Sequence, residues 1–314
     1  MIRQPWFAPI IVLFWALSTG WLVVHKIMPM LAPGSPPGYK AFYASGSRMV
    51  PVAWSVTWND RPVGWASSEC MPQEDGGCIV ETRLRFERLP LDEMLPRWTS
   101  MLIGGGLPQA AMLTLDTRGR LSIDEQGQLR RFSSVVSIPE FNQTIFLTGT
   151  NDAGHVRIRL HGRNLEYETE RHLPESVMLG DELSPQATMP GLTPDRRWTV
   201  PVYSPLKLGG SPMEILHAHV EREEPLFWED RLVRTRLVVY RDDPTSRREP
   251  KCRLWVDQSG RVLRQESAVL GSRLAFVRLS DSAARELVGK SAGEILLQEQ
   301  FFPVAPAPPD IQRQ

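Results

Sequence analysis

Val52-Ala-Trp-Ser-Val-Thr-Trp58, then Asn59-Asp-Arg-Pro62, then Val63-Gly-Trp65: the reading of this run decides the fold. Side chains on an extended chain alternate between two faces. Val52, Trp54, Val56 and Trp58 therefore share one face, and Ala53, Ser55 and Thr57 share the other. A large apolar set facing a small set with period two is the pattern of a half-buried β-strand. Asn59-Asp-Arg-Pro62 turns the chain, and Val63-Gly-Trp65 begins the return strand.

The same grammar recurs outward from this hairpin. Ile79 to Leu89 alternates Glu81, Arg83, Arg85 and Glu87 with Val80, Thr82, Leu84 and Phe86. Val156 to Leu160 reads Val-Arg-Ile-Arg-Leu, a strand with one wet face. Leu232 to Tyr240, Cys252 to Val256, Val262 to Glu266 and Leu274 to Leu279 extend the pattern. Four tetrads place Asp or Asn first and Gly fourth: Asp116-Thr-Arg-Gly119, Asp124-Glu-Gln-Gly127, Asn151-Asp-Ala-Gly154 and Asp257-Gln-Ser-Gly260. Asp or Asn caps such a turn through its side chain, and Gly takes the left-handed position that closes a bulged hairpin. Helix is expected only at Leu91–Leu102, interrupted by Pro96, and at Ser280–Val288, where Ser280 caps the first turn. Pro174 to Pro212 reads as long connections that divide the sheet. The fold class is mainly β: an antiparallel curved sheet or half-barrel with one or two short helices, preceded by one N-terminal transmembrane helix.

That helix comes from the first residues. Gln4 to Val24 carries no charge, and Pro9 to Val24 is mostly apolar. A run of about 20 such residues crosses the ~30 Å of a bilayer core. His25-Lys-Ile-Met-Pro29 lacks the small residues of a signal-peptidase site, which favours an uncleaved anchor over a cleaved leader. Arg3 before the helix against Lys26 and His25 after it gives a slight bias toward a cytoplasmic N-terminus. The organisation expected is an anchor over 1–29 that meets the membrane through residues 9–28, and a Pro/Gly linker over 30–39. A β-rich extracytoplasmic domain over 40–300 and a Pro-rich tail over 301–314 follow. The placement expected is the cytoplasmic membrane, single-pass, with the domain outside.

Cys70 and Cys78 bracket Asp75-Gly-Gly77, a strong turn signal, so they are expected to face each other across a hairpin and form a disulfide. That bond also belongs to an oxidising compartment. Formal charge is zero, with 36 basic and 36 acidic residues, so no long-range field draws the chain to nucleic acid.

Catalytic motifs are absent from the reading. There is no Gly-x-Ser-x-Gly elbow, and Gly104-Gly-Gly106 lacks the Lys-Ser/Thr of a phosphate loop. Cys252 has no local histidine to activate it. Period two places His217, His219 and Glu221 on one strand face, a candidate metal set. No cofactor is implied. What stands out is the tryptophan content, 10 in the chain. Trp54, Trp58, Trp65, Trp198 and Trp255 are the candidate lining of an apolar ligand cavity.

Trp58-Asn-Asp-Arg-Pro-Val-Gly-Trp65, Gly191-Leu-Thr-Pro-Asp-Arg-Arg-Trp-Thr-Val-Pro-Val202 and Arg253 to Glu266 together resemble the half-barrel lipid carriers of the LolA/LolB type and the DUF3108-like periplasmic proteins. The resemblance implies a half-barrel that holds a hydrophobic ligand. LolB-type proteins are lipoproteins and LolA-type proteins are soluble, whereas this chain has a hydrophobic N-terminal segment and no lipobox. The function expected is a non-enzymatic binding module for a lipid or other hydrophobic ligand. The alternatives are an envelope scaffold that partners another membrane or transglutaminase-like protein, and a metal-dependent envelope hydrolase.

Overall fold

The computed structural model describes residues 7–22, 50–90, 112–163, 165–173, 177–179, 184–204, 213–269 and 271–290. A first run of strands comprises β1 (Val52–Trp58), β2 (Arg61–Pro72), β3 (Cys78–Pro90), β4 (Met112–Ile123), β5 (Leu129–Ile138), β6 (Gln143–Asp152), β7 (His155–Gly162) and β8 (Leu165–His172). A second run comprises β9 (Met178–Leu179), β10 (Arg197–Tyr203), β11 (Met213–Trp228), β12 (Arg231–Arg241), β13 (Cys252–Asp257), β14 (Val262–Val269) and β15 (Ser272–Arg278). All belong to one 15-stranded sheet, in the order β8 to β1, then β15 down to β9. Every pairing is antiparallel except the short β9–β10 contact. The first strand therefore lies in the middle of the sheet, with β2 on one side and β15 on the other.

The face bearing Trp54 is the concave one. Trp54, Val56, Trp58, Leu84, Phe86, Leu274 and Phe276 form a central cluster. A second cluster joins Trp198, Val200, Val220, Val238, Leu254 and Val256 to Met189 and Leu192. A third joins Val80, Phe132, Leu147 and Ile158 of the first arm to Tyr203, with Met213 packed against it, at the end of the β10–β11 hairpin of the second. Two arms of one sheet can share a cluster only if the sheet rolls over on itself. The outcome is an incompletely closed, barrel-like shell, as sheet twist favours.

Residues 184–192 cross the concave face as a strap. The Gln186 N–H donates to Gln265 Oε1 at 2.9 Å, and Gln265 Nε2 donates to the Ser184 carbonyl at 3.2 Å. Val262 N donates to the Ala187 carbonyl, Met189 N to the Gly260 carbonyl, and the buried Arg278 to the Ala187 carbonyl. These bonds explain why Gln265 and Arg278 are tolerated in the interior.

Most turns follow the expected chemistry. Asp257 Oδ1 accepts the backbone N–H groups of Ser259 and Arg261, with Gly260 left-handed at φ 84°. Asp124 and Gly127 repeat the arrangement. Asp116-Thr-Arg-Gly119 does not turn: it runs straight through β4. Asp116 faces Arg83 at 2.9 Å, and Gly119 sits where an added Cβ would meet Thr82 Oγ1 at 2.5 Å. The Pro174–Pro212 region holds more than connections, because Arg197–Tyr203 alternates and adds β10.

The helix expected at 280–288 is present over 281–290, capped by a bond from Ala283 N to Ser280 Oγ at 3.2 Å. The helix expected at 91–102 lies outside the described residues. Among the described residues, no helix is long and apolar enough to cross a membrane. The described N-terminal helix α1 (Phe7–Leu22) has 16 residues, about 24 Å at 1.5 Å per residue against ~30 Å of hydrocarbon. Cys70 and Cys78 are both free thiols, so the expected disulfide is not formed. The register accounts for the difference: Cys70 lies opposite Val80 and Cys78 opposite Pro72, so the two are diagonal neighbours. Burial raises both thiols, and with the neighbouring Cys70 it pushes Cys78 up to about 12.

Two outcomes test this account. Burial alone would raise the Asp257 carboxyl, but hydrogen bonds from Ser259 and Arg261 outweigh it and hold the group below its usual range. Its stabilisation is present above the unfolded carboxylate pKa of about 3.9 and lost as pH falls through the lower folded value. Asp257→Ala should cost about 2 kcal/mol in urea unfolding at neutral pH, and the loss should shrink in acid; equal losses at all pH values would contradict it. At Gly149, a Cβ would lie 2.0 Å from Phe132 Cζ. Gly149→Ala should therefore lower stability by about 1–3 kcal/mol, and an unchanged denaturation midpoint would show that the ring is not seated there.

Candidate functional site

Register places a row of small polar residues across the concave face of the first arm. Ser68 on β2 pairs with Thr82 on β3, Thr82 with Gly119 on β4, and Gly119 with Ser134 on β5. Each belongs to the inner set of its strand. Thr82 stands between Val80 and Leu84, Ser68 between Ala66 and Cys70, and Ser134 two residues from Phe132. Thr117, two residues from Gly119, pairs with Leu84 and adds another hydroxyl. On one side lies the central cluster with Ala66, Leu84 and Phe86, and on the other the third cluster with Val80, Phe132 and Leu147.

This row does not behave like a core. Val80 and Leu84 are buried, yet Thr82 between them is exposed, and Ser68 and Ser134 are half-buried. An exposed polar residue on the inner face of an interior strand means that solvent reaches the floor between two apolar walls. Concave, mostly apolar surface with a few convergent polar groups is the usual form of a small-molecule site. Nearby on the same face, Trp54 Nε1 is buried with no hydrogen-bond partner among the described residues. A buried indole N–H usually has one.

The five candidate tryptophans separate by face. Trp54 and Trp58 are packed in the central cluster and Trp198 in the second, edge-on to Tyr240 at 6.3 Å. Trp65 is on the convex face, with the Arg83 guanidinium 5.3 Å over its ring. Trp255 is also convex, packed with Leu237 and Val239 and donating to Glu224 Oε1 at 3.0 Å. Trp65 and Trp255 thus do not line the cavity, and no single pocket gathers the set. The hydroxyl row is the feature that sequence reasoning missed. Its signal was present in Val80-Glu-Thr-Arg-Leu84, where a Thr interrupts the apolar side of an otherwise regular alternation.

His217, His219 and Glu221 lie along β11 but do not form a metal set. Arg241 donates to Glu221 Oε1 at 2.7 Å and pairs across the sheet from His217. Burial lowers the pKa of His219, and Arg197 lowers it further. Burial likewise lowers that of His217, against Asp243 and Asp242. Asp195 Oδ1 stays 3.8 Å from His219 Nε2. Among the described residues, no three His, Cys, Asp or Glu side chains are grouped so as to hold a metal ion.

No family model matches the chain, and no curated protein matches it. Solved structures do. A β-barrel-like protein of the domain of unknown function DUF1849 from Brucella abortus is 11% identical, with a TM-score of 0.42, covering 74% of this chain and 97% of that one. A DUF1089 family protein from Pseudomonas aeruginosa is 15% identical, with a TM-score of 0.32, covering 66% of this chain and 90% of the other. Neither is named as a LolA-, LolB- or DUF3108-type protein. The barrel-like shape follows from this chain's own strand register and shared clusters.

Proposed function

We propose that this chain is a non-enzymatic binding module, tethered to the cytoplasmic membrane by its N-terminal segment, that holds a hydrophobic ligand on its concave face outside the cytoplasm. The observation that carries this reading is the exposed Thr82 on the floor between two apolar clusters. An amphipathic molecule suits that floor, since its apolar part would cover the walls and a hydrogen-bonding group would meet Ser68, Thr82 and Ser134. The Trp54 indole, which has no hydrogen-bond partner among the described residues, supports the same reading, because a ligand acceptor would satisfy it. Tethering is supported by the uncharged run from Gln4 to Val24 and by the exposure of Leu13, Phe14, Trp15, Leu17 and Trp21 on α1. A scaffold role is the second reading. It is favoured by β8, an edge strand of eight residues with no partner on its outer side among the described residues.

The test is mass spectrometry of an organic extract of the purified full chain, followed by uptake of a fluorescent fatty acid. A stoichiometric co-purified lipid or isoprenoid, with uptake, is the expected result. Thr82→Trp should fill the floor and weaken uptake by about tenfold or more, on the order of 1.4 kcal/mol, without lowering the denaturation midpoint. A clean extract with no uptake would sink the carrier reading and turn attention to the β8 edge.

A further inference from the structure

The convex face of the β7–β8 ladder has four directly opposed rungs: His155 with His172, Arg157 with Glu170, Arg159 with Glu168, and His161 with Glu166. Leu173 N donates to the Gly154 carbonyl at 2.8 Å, which makes that neighbouring pair hydrogen-bonded. Antiparallel ladders alternate, so His155–His172 and the other three rungs, spaced two residues apart, are all non-hydrogen-bonded pairs, where opposed side chains come closest. Three of the four rungs set a basic residue against an acid. Arg159 Nε lies 3.0 Å from Glu168 Oε1 and Arg157 Nη2 3.6 Å from Glu170 Oε2. The fourth sets two imidazoles together, with ring centroids 4.9 Å apart and planes tilted by 58°.

The pair is held from below. Ala153 and Gly154 form a two-residue turn with both φ angles positive, at 48° and 88°. A Cβ on Gly154 would fall 3.2 Å from His172 Cε1, so the glycine makes room for that ring. Asn151 Oδ1 accepts the Gly154 N–H at 3.0 Å and fixes the turn. Buried Leu173 pins the strand end immediately after His172.

We propose that His155 and His172 together bind one borderline divalent transition-metal ion, such as Zn²⁺, Ni²⁺ or Cu²⁺, on the convex face. Neutral imidazoles are good ligands for these ions, and two on adjacent strands chelate without backbone rearrangement. Both rings are exposed, so water completes the coordination sphere. The site does not depend on a ligand in the concave floor, which lies on the other face of the sheet. Its occupation would cross-link the outermost two strands of the first arm.

The experiment is a titration of the full chain with Zn²⁺ alone by calorimetry, and with Cu²⁺ by electron paramagnetic resonance. One ion per chain should bind, and the copper spectrum should show coupling to two nitrogens. His155→Gln, which leaves the Gly154–His172 contact in place, should weaken binding by about tenfold or more, as should His172→Gln. His217→Gln should leave binding unchanged. Failure to bind Zn²⁺, undiminished binding in both β7–β8 variants, or loss in the His217 variant would each overturn the proposal. The Zn²⁺ result stands apart from the fatty-acid uptake test, so each can fail alone.

Discussion

The pairing of β1 with β15 is the constraint on which the rest depends. It sets Trp54 opposite Arg278 and Trp58 opposite Leu274, joining residues more than two hundred apart in sequence. Without it, the first arm from β1 to β8 and the second from β9 to β15 would be separate meanders with open edges on both sides. With it, the central cluster draws on β1, β2, β3 and β15, and the arms roll toward one another about that seam. The entropy of closing so long a loop is substantial but grows only logarithmically with length. Burial of Trp54, Val56, Trp58, Leu274 and Phe276 is well able to offset it, since each large apolar side chain contributes roughly 1.5–3 kcal/mol.

The seam also explains where the open floor can lie. The second arm is lined from within by its own strap, which seats Met189 and Leu192 among Trp198, Val220 and Val256. The third cluster is capped by Tyr203 and Met213, arriving from the opposite arm. Between the capped cluster and the central one, the inner positions carry Ser68, Thr82, Gly119 and Ser134 in place of large apolar groups. The solvent-reached strip follows from residue choice at those positions in a sheet whose curvature is set elsewhere.

Much of this was legible in the chain and some was not, for definite reasons. Strand periodicity identified β1, β3, β7 and the strands from β12 to β15, because half-buried antiparallel strands write their two faces directly into sequence. The Asp-x-x-Gly turns at 124–127 and 257–260 were legible because their chemistry is local. Asp116 to Gly119 has the same spelling but a different cause: the glycine is there for Thr82. The faces of Trp65 and Trp255 were harder. A two-residue turn at Asn59-Asp60 with unbroken pairing would set Trp65 opposite Trp54, on the inner face. The register instead shifts between Val56 and Thr57, so Trp65 pairs with Ser55 and points outward. Gly64 permits that bulge, since any Cβ there would collide with the Arg85 carbonyl at 1.9 Å. One inserted residue reverses every face beyond it, and nothing short of long-range register reveals it.

The central position of β1 bears on how the molecule is made. A ribosome delivers β1 early and β15 last, so during synthesis the strand that will occupy the middle of the sheet has one side unpaired. Until the final strands arrive, Trp54, Val56 and Trp58 belong to an incomplete edge, the kind of surface that invites pairing with other chains. Order in this protein therefore runs backwards relative to the chain: β1, the earliest of the described strands, is among the last to be fully enclosed.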